Sequence, residues 1–223
     1  MRTLQELINS EESAWPLVKD WIDQARNEVE ILSVIDQRTA DDALVNMQVT
    51  TRSPMGAIIH NTGGILIDKG WLRILGSGND RMQRSLPSWN LGKTLEIYGG
   101  LASYLLVADD AVGGFYAING GALGKDVGNM YYNAPDMTDW MPMNMSYTQF
   151  LLFCFETDMN DFYSSLRWSE YEKEMQNLQP DYAFSFYPFL WTEEGADISI
   201  TSRKVMPVEE IYRINMESKS SIQ

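Results

Sequence analysis

The chain has 223 residues, 44% of them hydrophobic and 12% aromatic, which fits a folded domain and excludes a disordered one. Its formal net charge is -14, from 17 basic and 31 acidic residues spread along the whole length. A surface this acidic repels phosphate backbones, so nucleic acid is excluded as a partner and a basic protein is favoured.

Thr3 and Glu6 form a capping box ahead of Leu4, Leu7 and Ile8, which predicts a short amphipathic helix. Ser13 is placed to cap a second helix, with Pro16 in its first turn and Leu17 and Trp21 four apart on one face. Thr39, followed by Asp41 and Asp42, predicts a third, since acidic residues suit the positive end of the helix dipole. Residues 1–48 therefore read as a helical region packed on the rest of one domain, 1–223. Ala57–His60 and Ile65–Ile67 read as strands joined by an Asn61-Thr62-Gly63-Gly64 hairpin loop, and Trp71–Leu75 as another strand. Residues 81–100 read as loop.

The organising stretch is 105–140. Leu105–Ala108, Phe115–Ile118 and Met130–Asn133 are apolar runs separated by Asp109-Asp110, Gly113-Gly114 and Asn119-Gly120-Gly121. Glycine supplies positive φ without steric cost, and Asn and Asp tolerate it, so a three-stranded antiparallel meander is predicted, with Asp109-Asp110 in a turn. Ser146 and Gln149 form another capping box, with Tyr147, Phe150, Leu151 and Cys154 on one helical face. Asp158 caps the next helix, and a three-to-four period through Tyr171, Met175 and Leu178 ends at Pro180. Residues 182–191 are rich in aromatics, a core segment or a recognition surface. Ile198 and Ile200 alternate with polar residues as in an outer strand, Pro207 opens a C-terminal helix, and the last seven residues read as frayed. The fold class is α+β: a curved, mostly antiparallel sheet flanked by helices.

Chemistry-bearing motifs are sparse. Cys154 is the single cysteine, so no intrachain disulfide forms, and its apolar neighbours mark an inert thiol. His60 is the single histidine and reads as structural. No G-x-S-x-G turn, phosphate-binding glycine motif or EF-hand loop is present, so no catalytic set, cofactor or metal is expected. The longest apolar run, Phe150–Phe155, falls short of the roughly 20 residues that span a bilayer. A cytoplasmic location away from membranes is the expectation. Asp109-Asp110 could bind a cation or a basic partner, or close an Asx turn. Arg73 and Arg167 sit among apolar or aromatic neighbours, and Arg167 beside Trp168 suits a cation–π contact. Candidate binding residues are thus Arg73, Asp109, Asp110, Asn119, Asp136, Trp140, Arg167 and Trp168.

The string from Leu106 to Gly121 resembles a bacterial family, domain-of-unknown-function family 2625. Ala14-Trp15-Pro16, Arg52-Ser53-Pro54, Gly70–Gly78, Ala134-Pro135-Asp136, Leu166-Arg167-Trp168 and Tyr187–Trp191 extend the likeness over nearly the whole chain. More distantly, the Asp109-Asp110 and Gly113-Gly114 turn, Asn119-Gly120-Gly121, Gly128–Tyr131 and Ser146–Phe150 resemble the SUKH superfamily. That resemblance implies a SUKH-like fold and a non-enzymatic role binding a protein such as a toxin, as immunity proteins do. An extra helical N-terminus and a long aromatic C-terminal half depart from it. The rival expectations are an enzyme or small-ligand binder using Arg73, Asp109, Asp110 and Arg167, and a structural or oligomeric scaffold.

Overall fold

Seven strands pair in the order in which the chain makes them: β1 (Val29–Leu32), β2 (Gly64–Ile67), β3 (Leu72–Leu75), β4 (Tyr104–Asp110), β5 (Phe115–Asn119), β6 (Asn129–Asn133) and β7 (Met141–Ser146). Every neighbouring pair is antiparallel in this computed structural model, which describes residues 1–220. The predicted meander is β4–β5–β6, at one side of the sheet's middle. Its first turn is tight because Gly113 adopts φ +84°, and because a Cβ on Gly114 would lie 2.3 Å from Asp110 Oδ2.

Alternation along β5 puts helices on both faces of the sheet. Phe115 packs against Trp89 and Tyr212, while Tyr116, on the opposite face, packs against Phe150 and bonds Tyr163. Trp89 lies on α5 (Leu86–Asn90), Phe150 on α6 (Tyr147–Glu156) and Tyr212 on α9 (Val208–Ser220). A two-stranded ribbon, β8 (Tyr182–Tyr187) with β9 (Ser202–Pro207), bears on the β4–β5 turn, where Phe184 N–H donates to Ala111 C=O at 2.7 Å. Remaining helices are α1 (Leu4–Leu7), α2 (Trp15–Asp23), α3 (Gln37–Met47), α4 (Pro54–Asn61), α7 (Met159–Phe162) and α8 (Tyr171–Met175).

Several local expectations are corrected. Residues 57–60 form α4, not a strand: Ser53 accepts a hydrogen bond from Gly56 N–H and Pro54 occupies the first turn, so the start signal outweighs the β-branched Ile58-Ile59. His60 accordingly lies in a last helical turn, with Nε2 3.1 Å from Asp41 Oδ1. The helix α3 is capped by Asp36, which accepts from Thr39 N–H, three residues before the predicted start. The N-terminal region also supplies a strand, β1, and 81–100 contains α5. Ile198 and Ile200 lie in a turn where Asp197 accepts from Ser199 N–H, so the outer strand begins only at Ser202. Of the tail predicted as frayed, 217–220 belong to α9 and 221–223 lie outside the described residues.

Asp110 closes the expected Asx-type turn: its Oδ1 accepts from the Val112 and Gly114 N–H groups and its C=O from Gly113 N–H. Asp109, which precedes it at the end of β4, takes no part in the turn. The reason is tertiary: β3 places Arg73 directly opposite Asp109, and that guanidinium holds the carboxylate inside the sheet.

Candidate functional site

The register Arg73↔Asp109 brings one cation and one anion to the same point, and both side chains are 0% exposed. Arg73 Nε donates to Asp109 Oδ1 at 2.6 Å. Its remaining nitrogens donate to Asp110 C=O at 2.9 Å and to Tyr182 C=O at 3.2 Å, so the strand ends and the ribbon saturate it. Asp109 Oδ2 takes a second guanidinium, Arg84, which also donates to Asp181 Oδ1 at 2.8 Å and to Pro180 C=O. Burial works to lower the Arg84 pKa, but the Asp109 and Asp181 carboxylates outweigh it and raise it. Two arginines and two carboxylates thus neutralise one another, which is the condition for holding charge away from water.

Asp110 is engaged separately. Oδ1 accepts from the Gly114 and Val112 N–H groups at 2.7 and 3.1 Å, and Oδ2 accepts from Tyr132 O–H at 2.6 Å. Tyr132 stacks on Tyr116 at 4.2 Å, and Tyr116 shares a 2.6 Å hydrogen bond with Tyr163. Burial pushes all three phenols well above their ordinary range, so they stay neutral at physiological pH.

Burial also raises the Asp110 pKa above its ordinary 3.8, against the pull of Tyr132, the turn amides and Arg73. The folded protein therefore binds this proton more tightly than the unfolded chain. The resulting stabilisation is complete below about pH 3.8 and is lost as pH rises through the raised value. Asp110→Asn keeps the acceptor for both amides and places a donor toward Tyr132. Its stability relative to the parent is expected to improve as pH rises above 3.8, read by urea unfolding at each pH. A flat or falling difference would overturn this assignment.

Arg167 occupies a second centre. Its guanidinium lies 4.6 Å from the Trp71 ring and 4.7 Å from the Tyr171 ring and pairs with Asp68. Trp168 bridges to Trp71 at 6.2 Å, and its Nε1 donates to Glu174, which also binds Arg203 through two hydrogen bonds. Trp71 C=O accepts from Ala111 N–H, which ties this centre to the β4–β5 turn.

A family profile described as "Protein of unknown function DUF2625" matches residues 4–211. The chain belongs to the DUF2625 family. It is 40% identical over 220 residues to an uncharacterised protein of Haemophilus influenzae, covering 99% of this chain and 96% of that one. It is 39% identical over 221 residues to the putative uncharacterised protein YbfG of Escherichia coli, covering 99% of each.

In this DUF2625 protein the residues singled out from sequence divide between two linked centres and the periphery. Arg73, Asp109 and Asp110 converge, and Arg167 and Trp168 stand together beside Trp71. The other three lie apart from both centres. Asn119, at the far end of β5, accepts from the Gly121 and Leu123 N–H groups and so shapes its own turn. Asp136 is exposed in the turn after β6. Trp140 is half-buried, 5.4 Å from the Tyr104 ring. The partners that sequence reasoning missed, Arg84, Asp181 and Tyr132, lie far from Arg73 and Asp109 in the chain, and no local pattern announces them.

The DUF2625 arginine–carboxylate network reaches solvent beside Arg84 and Asp181. A cleft of about 380 Å³ opens beside Arg84 and Asp181, with Trp89 as its floor and Glu209 at its rim. Lys93 lies 4.3 Å from the Trp89 ring and bonds Glu209 at 2.9 Å, so the cations at the cleft are already matched by anions. Among the described residues no helix is long and apolar enough to cross a membrane.

Proposed function

We propose that this protein is a non-enzymatic protein-binding domain, SUKH-like in type, whose partner is a basic protein such as a toxin. The observation that supports the reading is where the charge is spent. Arg73, Arg84, Arg167 and Arg203, the arginines drawn into the interior, all face carboxylates of their own chain. The anionic surplus is displayed outward by exposed residues such as Asp20, Asp23, Glu193, Glu194 and Glu210. Such a surface speeds encounter with a cationic partner and disfavours acidic ones. The reading treats 1–223 as one cytoplasmic domain, a setting that suits a single buried thiol.

Capture from a lysate of the protein's own source, at roughly 0.1 M and roughly 1 M salt, tests it, since screening shortens from ~10 Å to ~3 Å between them. A basic protein retained at low salt and weakened at high salt is the expected result. No retained protein, or an acidic one insensitive to salt, overturns it. A small-ligand or enzymatic role is the second reading, favoured by the cleft over Trp89.

A further inference from the structure

The loop that joins β8 to β9 sets exposed carboxylates beside exposed apolar side chains. From Met175 to Ser202 there is no lysine or arginine, while the loop itself carries Glu193, Glu194 and Asp197, all exposed. Tyr187 and Ile200 flank the open end of the ribbon, where Tyr187 pairs with Ser202, and they are 73% and 75% exposed. These values are among the highest for any large apolar side chain of the protein. Between them Trp191, half-buried, stacks on Phe189 at 4.3 Å with the rings 11° apart.

The loop is also held in shape. Thr192 Oγ1 donates to Phe189 C=O at 2.8 Å and accepts from Gly195 N–H at 3.1 Å. Asp197 accepts from both the N–H and the hydroxyl of Ser199. A loop fixed by its own hydrogen bonds loses little conformational freedom when a partner docks, and aromatic anchors ringed by charge are the usual composition of a binding centre.

We infer that this loop is the docking surface for the basic partner, with Tyr187, Trp191 and Ile200 as apolar anchors and Glu193, Glu194 and Asp197 as the charged rim. The inference rests on the reading above and deepens it. The occupant is a segment bearing arginine or lysine beside aliphatic residues, because the surface offers carboxylates and exposed apolar groups together.

The test uses the full chain and an array of short synthetic peptides of equal positive charge, with and without aliphatic residues. The parent protein is expected to select peptides that carry both. Tyr187→Ala with Ile200→Ser is expected to weaken that binding about thirtyfold or more, the scale of losing hot-spot anchors. Glu193→Lys with Glu194→Lys is expected to abolish it, and both pairs should leave thermal unfolding unchanged because the side chains lie outside the core. A control in the N-terminal region, Glu11→Lys with Glu28→Lys, is expected to retain binding. Equal loss in the control, unchanged binding in the loop variants, or no selection by the parent overturns the docking surface. The wider reading fails separately, if lysate capture yields no basic protein.

Discussion

Asp109→Ala is expected to be the most damaging single substitution in the protein, costing about 3–5 kcal/mol or preventing folding altogether. Asp109 is 0% exposed and receives both Arg73 and Arg84. Without it, two guanidiniums remain side by side, and Arg73 has no path to water. Total stabilities of roughly 5–15 kcal/mol leave little margin for such a loss. Urea unfolding reads the effect as a fall in midpoint at constant slope. Replacing the group together, Arg73→Met with Arg84→Met, Asp109→Leu and Asp181→Asn, is expected to recover most of the stability, because the desolvation cost of the charges disappears with their attraction. A loss under about 1 kcal/mol for Asp109→Ala alone would show that the network does not hold the sheet.

Trp71→Ala is expected to cost about 3–5 kcal/mol, the range for removing a large buried aromatic ring. Trp71 is 1% exposed and makes edge contacts with Tyr163 at 5.6 Å and Tyr171 at 5.3 Å, besides the stacked Arg167. Its indole N–H and the Nε–H of Arg167 have no hydrogen-bond acceptor among the described residues. The ring therefore contributes by packing and by its π face, not through its nitrogen. Trp71→Phe, which deletes the unpaired N–H and keeps much of the ring, is expected to cost less than half as much. A double-mutant cycle with Arg167→Ala is expected to give a coupling of about 0.5–2 kcal/mol. Additive single effects would rule out the stacking.

The parts of the fold that were legible in the sequence are those written locally. Ser146 with Gln149 and Thr3 with Glu6 announced helix starts that the backbone adopts. Gly113-Gly114 announced the β4–β5 turn because no other residue fits there. Residues 57–60 read as a strand because of Ile58-Ile59, while the signals that decide for a helix, Ser53 and Pro54, lie upstream. Asp110 keeps the turn role that its residue type suggests, but Asp109 does not, because carboxylates favour turns only when nothing opposes them. Here Arg73 opposes Asp109 from the adjacent strand, a tertiary fact with no local trace. The same holds for the site: Arg84 meets Asp181 across 97 residues, so only the folded chain shows that each charge already has a mate.

Strand order that repeats chain order has a consequence for biosynthesis. Each sheet strand leaving the ribosome finds its neighbour already made, so β1 to β7 can zip up one after another, through short turns except where helices intervene between β1 and β2 and between β3 and β4. The last groups to clasp the arginine network and its turn are Asp181, Tyr182, Phe184 and Asn215, from the final stretch of the chain. A nascent chain that stops before residue 180 therefore carries the seven-stranded sheet with Arg84 lacking its second carboxylate and the Gly113 turn lacking Asn215, and synthesis through residue 215 is needed to seal both.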